Sequence, residues 1–288
     1  MFFLSGYIAF LSLLGNNLLA FFENAPAITV VMAFFVVWVI CWLPFAASVA
    51  IAIKWQPDQP LPSEHKIPLL IPLYLLAPLI IWGFAWLKLG SFADYGFVIN
   101  LSILKLFLLG FSLGILGLLI VFTCQYGLNW CYVELSNLQL VISTLPTIFL
   151  IALLVGGIEE LVFRGFVFNT LERDFSLWVA AIASSIVFAL LHLVWEQKET
   201  IPQLPGLWLM GMVLVLARLA GDGNLGIAWG LHTGWVCAIA LIDTNNLITY
   251  TGQVSEWFTG KNQKPLAGLA GIICVLATGL ILSLVRGH

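Results

Sequence analysis

The sequence predicts an all-α fold, a polytopic transmembrane bundle of eight or nine helices with a conical or cavity-containing core. Three observations carry this prediction. Of 288 residues, 61% are hydrophobic and only 9% are charged, whereas a soluble domain is about 45 to 50% apolar and about 25% charged. Nine apolar stretches approach or exceed the length of about 20 residues that spans a bilayer. Between them lie the Pro, Gly and polar clusters that end helices.

In order, the apolar stretches cover 2–22, 27–53, 67–89, 101–123, 143–171, 175–195, 205–220, 225–243 and 266–285. Asn16 and Asn17 interrupt the first, and the seventh is short. Gln56 to Ser63 is Pro-rich and polar, Gly221-Asp222-Gly223-Asn224 reads as a tight turn, and Thr244 to Pro265 as a longer polar loop. Residues 124–142, with Tyr126, Trp130 and Tyr132 close to Glu134, read as an interfacial segment, because Trp and Tyr favour the headgroup region.

Composition places the chain in a plasma-type or other cellular membrane as an integral, multi-pass protein with lipid as its solvent. The start, Met1-Phe2-Phe3-Leu4, lacks the positive region of a cleavable signal, so the first stretch is expected to be retained. A net charge of -3 without a Lys or Arg run argues against nucleic acid as a partner. The cysteines Cys41, Cys124, Cys131, Cys237 and Cys274 are scattered without CxxC spacing, so they read as small packing residues. Lys88, Lys105, Arg173, Arg218 and Arg286 fall on one side of the membrane and Lys54, Lys66, Lys198, Lys261 and Lys264 on the other. The positive-inside rule therefore assigns no orientation.

Chemistry concentrates in the fifth stretch, at Gly156-Gly157-Ile158-Glu159-Glu160-Leu161-Val162-Phe163-Arg164-Gly165. A charged side chain at a membrane-helix centre costs about 2.5 to 3.5 kcal/mol on insertion scales, so such residues pair with one another or perform a function. Glu160 and Arg164 are four apart and share a helix face, while Glu159 turns away by about 100° and needs another partner. His192 follows Phe188 by one turn inside the sixth stretch. Counted from the intervening turn, Glu159 and His192 lie at antiparallel depths of about 18 and about 26 Å, within reach of side chains and modest tilt. His232 stands between Gly230 and Gly234, a spacing that permits close helix approach.

These three features resemble, in order, the signatures of the CAAX protease and bacteriocin-processing family of intramembrane endopeptidases, to which Ras-converting CAAX prenyl endopeptidases belong. Glu159-Glu160-Leu161-Val162-Phe163-Arg164 is similar to its EExxxR motif, Phe188 to His192 to its FxxxH motif, and His232 to the start of its HxxxN motif. The resemblance covers about residues 147 to 240. It departs from the family at Val236, where Asn is usual and where valine offers no hydrogen-bond donor.

The resemblance implies a catalytic core over 141–245, preceded by variable N-terminal helices over 1–140 and followed by a polar loop and C-terminal helix over 246–288. It implies that Glu159 activates a water held with His192 and that His232 stabilises the oxyanion. The candidate catalytic residues are thus Glu159, Glu160, His192 and His232, with Arg164, Phe188 and Trp235 supporting them and Glu160 paired with Arg164 to position the helix. The substrate class implied is a membrane-associated or prenylated peptide or protein. Losing one oxyanion donor typically costs about a hundred- to a thousand-fold in rate, and the Trp235 indole or the Thr233 hydroxyl stands near Val236 as a substitute.

No cofactor is expected. A zinc-dependent alternative would take Glu159, His192 and His232 as ligands and leave Glu160 as base. From a different class, the cluster reads as the proton relay of an ion-coupled transporter, although no second copy suggests paired repeats. A catalytically weak scaffold or immunity protein on the same fold is the third reading.

Overall fold

A computed structural model describes residues 17, 20–55, 63–87, 90–134, 138–194 and 197–286. Most of the first apolar stretch and the greater part of the Gln56 to Ser63 connection lie outside the described residues. Among the described residues, seven helices are long and apolar enough to cross a membrane, and a shorter apolar helix follows them. The chain is an integral, multi-pass, all-α membrane protein.

The first, α1 (Ala27–Ala52), begins after Pro26. Its orphan amide at Ala27 is capped by the Asp174 carboxylate at 2.5 Å, which ties it to a distant turn. Helix α2 (Ser63–Trp86) contains Pro68, Pro72 and Pro78. Each lacks an amide and loosens the preceding turn, and two indoles of α1 donate into the stretches so loosened, Trp42 to the Leu69 carbonyl at 2.9 Å and Trp38 to the Leu73 carbonyl at 2.8 Å.

Helix α3 (Leu101–Gly127) starts at Asn100, whose side chain accepts from the Ile103 amide at 3.0 Å. Its buried face runs through Ile103, Phe107, Gly110, Gly114 and Leu118, and its opposite face presents Leu104, Leu108, Leu119 and Ile120 outward. Both faces are apolar because one meets protein and the other meets lipid.

Helix α4 begins at Leu138 and reaches Glu160, passes through a π-helical turn over Leu161–Val167, and ends at Leu171. Helix α5 (Leu177–Leu191) gives way to a 3-10 turn at His192–Val194, and α6 (Leu204–Ala220) follows two short turns. The predicted tight turn is present, with Asp222 at φ 52° and Gly223 at φ 85°. Helix α7 (Gly226–Asn245) closes on Asn246 in the left-handed region, and α8 (Leu269–Arg286) completes the bundle.

The interfacial segment and the long polar loop meet. Within 124–142 and the loop 244–265, β1 (Cys131–Val133) pairs antiparallel with β2 (Ile248–Tyr250), Cys131 opposite Tyr250 and Val133 opposite Ile248. The pairing satisfies backbone groups that a structureless interfacial segment would leave to water. All five cysteines are free; Cys131, Cys237 and Cys274 are buried as packing residues, whereas Cys124 is exposed.

The packing that positions the site is a glycine seam. Gly226, Gly230 and Gly234 of α7 lie against α3, and Gly110 and Gly114 of α3 lie against α7. A Cβ on Gly230 would strike the Phe107 carbonyl, and one on Gly110 the Ile227 carbonyl, so the two backbones lie in direct contact. On another side of α7, Gly156 and Gly157 of α4 admit Thr233 and Trp229, and the Trp229 indole donates to the Leu153 carbonyl at 2.9 Å.

Candidate active site

Glu159 and Glu160 are the last α-helical residues of α4, and the π turn opens directly after them. Such i to i+5 turns widen a helix locally and occur mostly at functional positions. Glu160 is fully buried, and its Oε1 accepts from Arg164 Nη1 at 3.1 Å, the pair expected from their spacing. The Arg164 guanidinium lies over the Phe188 ring at 4.2 Å from its centroid, a cation–π contact that strengthens away from water.

Arg218 of α6 fixes the π turn from outside. It donates to the Arg164 carbonyl, to the Gly223 carbonyl at 3.2 Å and to Asn169 Oδ1 at 3.4 Å. Sequence reasoning had used Arg218 only as a marker of membrane side. Nothing in its own surroundings in the sequence announces that it serves carbonyls 54 and 5 positions away.

His232 projects from α7 about 200° around from Gly230, so seating the glycine face on α3 turns the imidazole toward α4. Its Nδ1 lies 2.8 Å from Glu160 Oε1 and its Nε2 lies 3.6 Å from Glu159 Oε2. A carboxylate only accepts, so Nδ1 carries the proton shared with Glu160. The histidine expected at the oxyanion is thus held between both glutamates.

His192 sits where α5 becomes a 3-10 turn, with Nδ1 2.8 Å from the Phe188 carbonyl. That carbonyl also only accepts, which assigns the proton to Nδ1 and leaves Nε2 as an acceptor. Phe188, fully buried, touches the histidines with its edges, at 4.7 Å from the His192 ring and 5.9 Å from that of His232. The FxxxH spacing therefore supplies one aromatic platform for Arg164, His192 and His232 together.

Two cavities meet at His192. One, of about 190 Å³, runs between α1, α2 and α4, is lined by Trp38, Trp42, Leu73, Tyr74, Glu159 and His192 among others, and is largely apolar. The second, of about 320 Å³, is lined by His192, His232, Trp235 and Val236, and reaches Asp243 and Lys264, an ion pair at 2.9 Å. Trp235 lines this cavity and makes no hydrogen bond among the described residues. Val236, where the family motif has Asn, presents only methyl groups to the same space.

Tyr74 of α2 is the other side chain that sequence reading missed. Its hydroxyl donates to Glu159 Oε1. A signal existed in Pro72-Leu73-Tyr74-Leu75-Leu76-Ala77-Pro78, a polar tip bracketed by prolines within an apolar span. After this contact Glu159 Oε2 remains buried without a hydrogen-bond partner.

Among the described residues, no three His, Cys, Asp or Glu side chains gather closely enough to hold one ion.

No curated protein and no solved structure matches the chain. A family model does match, over the segment that contains Glu159, Arg164, Phe188, His192 and His232, and it supports the family to which the ordered motifs pointed. Residues 141–238 match the Rce1-like family, described as type II CAAX prenyl endopeptidase Rce1-like, in keeping with the CAAX protease and bacteriocin-processing family.

Proposed function

We propose that this protein is an intramembrane endopeptidase that cleaves a membrane-associated or prenylated peptide with a water activated by Glu159. The family match implies a protease acting in a membrane. The observation that carries the finer reading is Glu159 Oε2, a buried oxygen without a hydrogen-bond partner, 3.6 Å from His232 Nε2 at the edge of a cavity. That separation is too long for a good hydrogen bond, and a water beside both atoms satisfies each of them.

In this mechanism the water gives one proton to Glu159 Oε2 while its other O–H is held by His192 Nε2. The water oxygen attacks the scissile carbonyl carbon, and the carbonyl electrons move to its oxygen. His232 donates to that oxyanion through Nε2–H in its doubly protonated form, with Nδ1–H kept on Glu160. Charges then balance, since the Glu160 carboxylate and the oxyanion face one guanidinium and one imidazolium, with Glu159 protonated. The Trp235 indole is the second oxyanion donor in place of the Asn that Val236 lacks. When the intermediate collapses, Glu159 returns its proton to the departing amine nitrogen, as a general base turned general acid does.

Glu159→Gln is expected to abolish cleavage by the purified protein while leaving it monodisperse in detergent, and unchanged cleavage would sink the mechanism. Cleavage that persists in a chelator separates this reading from zinc chemistry. Trp235→Phe keeps an aromatic side chain and removes the donor, so kcat should fall by about a hundred-fold or more if the indole faces the oxyanion.

A further inference from the structure

Helix α2 lies outside the matched segment 141–238, yet it delivers a hydroxyl to the glutamate that the proposed mechanism depends on. We infer that Tyr74 is a positioning residue, which occupies Glu159 Oε1 so that Oε2 alone faces the water and His232. The inference rests on the protease reading above.

The geometry supports it from both ends of the contact. On the glutamate, the two oxygens are unlike: Oε1 is engaged by the phenol, while Oε2 has no hydrogen-bond partner and lies nearest His232 Nε2. A carboxylate on a helix end rotates about its terminal torsion, which is broad and roughly two-fold. A directed donor at one oxygen removes that freedom and fixes which lone pairs point at the water. Misplacing a reacting group by about 1 Å costs about a hundred-fold in rate.

On the tyrosine, the backbone that the prolines loosen is braced by the indoles of α1. Pro72 and Pro78 flank Tyr74, and the carbonyl of its neighbour Leu73 accepts the Trp38 indole at 2.8 Å. Trp42 does the same at Leu69, at 2.9 Å. Trp38, Trp42, Leu73 and Tyr74 also line the cavity that Glu159 and His192 share. Thus α1 braces α2, and α2 aims one hydroxyl at one carboxylate oxygen.

Tyr74→Phe removes the hydroxyl and keeps the ring, so α2 packing is preserved. The probe is a quenched fluorogenic peptide bearing a prenylated cysteine, presented to wild type, Tyr74→Phe and Glu159→Gln in phosphatidylcholine vesicles. The expected result is a fall in kcat of about ten- to a hundred-fold for Tyr74→Phe, with KM unchanged and the protein still monodisperse. A merely structural role for the ring would leave kcat untouched.

If Glu159→Gln is inactive while Tyr74→Phe retains wild-type kcat, this inference falls and the protease reading stands. If the wild type leaves the probe intact, or Glu159→Gln cleaves it normally, the protease reading falls and the inference falls with it. A rise in KM at constant kcat also overturns it, because that pattern marks a substrate contact instead of an aligned base.

Discussion

Glu159 and Glu160 are neighbours in sequence with opposite duties, and the difference is measurable in stability. Glu160 has Arg164 and His232 on one oxygen, with no exposure to solvent. Removing one partner of a buried ion pair leaves an uncompensated charge and costs about 3 to 5 kcal/mol. Glu160→Ala should therefore lower the unfolding temperature in detergent by an amount on the order of 10 °C. Glu159→Ala should lower it far less, because Glu159 accepts its hydrogen bond from the neutral Tyr74 hydroxyl, and both Arg164 and His232 keep Glu160 as their partner. Equal destabilisation by both, followed by tryptophan fluorescence on heating, would refute the division. The acidic pair and its arginine were legible in the sequence because lipid makes every buried charge costly. Tyr74 and Arg218 were not: a tyrosine is cheap in a membrane helix and an arginine at a helix end reads as a membrane-side marker. Their contacts arise only when helices far apart in sequence meet.

At the scale of elements, apolar runs foretold the helices but not the breaks within them. The π turn at Leu161–Val167 replaces one hydrogen-bond pattern with another without any change in hydropathy. The strands Cys131–Val133 and Ile248–Tyr250 have only three residues each, too few for an alternating pattern to show. The glycine spacing of α7 was legible, and its consequence is the orientation of His232. Gly230→Ala places a methyl group against the Phe107 carbonyl, where backbone has little room to yield. Overpacking of this kind costs about 1 to 3 kcal/mol, and by lifting α7 from α3 it should also slow cleavage through the His232–Glu160 contact. Gly83→Ala is the control, since a Cβ there meets nothing within 4 Å. It should be neutral or stabilising by about 0.5 to 1 kcal/mol, the gain of Ala over Gly in a helix. If Gly230→Ala matches that control in unfolding temperature and rate, the seam does not set the histidine.

For the whole molecule, the segment that matches the family, 141–238, contains the acidic motif and both histidines, yet the structure distributes their support beyond it. Helix α3 supplies Gly110 and Gly114 for α7, and α2 brings Tyr74 to Glu159. Asp174 inside the segment caps α1 at 2.5 Å, and Gly206 of α6 lies against the Leu266 backbone ahead of α8. In lipid the apolar faces so exposed would be tolerated, since hydrocarbon is as good a solvent for leucine as protein is. The polar groups would not be: Glu159 would lose its donor, and the cavity wall of Trp38, Trp42 and Leu73 would be replaced by lipid chains. Residues 138–245 produced alone should accordingly elute from dodecylmaltoside as aggregate and cleave nothing, where the full chain elutes as one species. Supplying residues 1–137 as a second polypeptide in the same membranes should restore part of the activity, because the glycine seam and the Tyr74 contact need no covalent connection. A monodisperse and active 138–245 fragment would show instead that the surrounding helices only anchor a self-sufficient core.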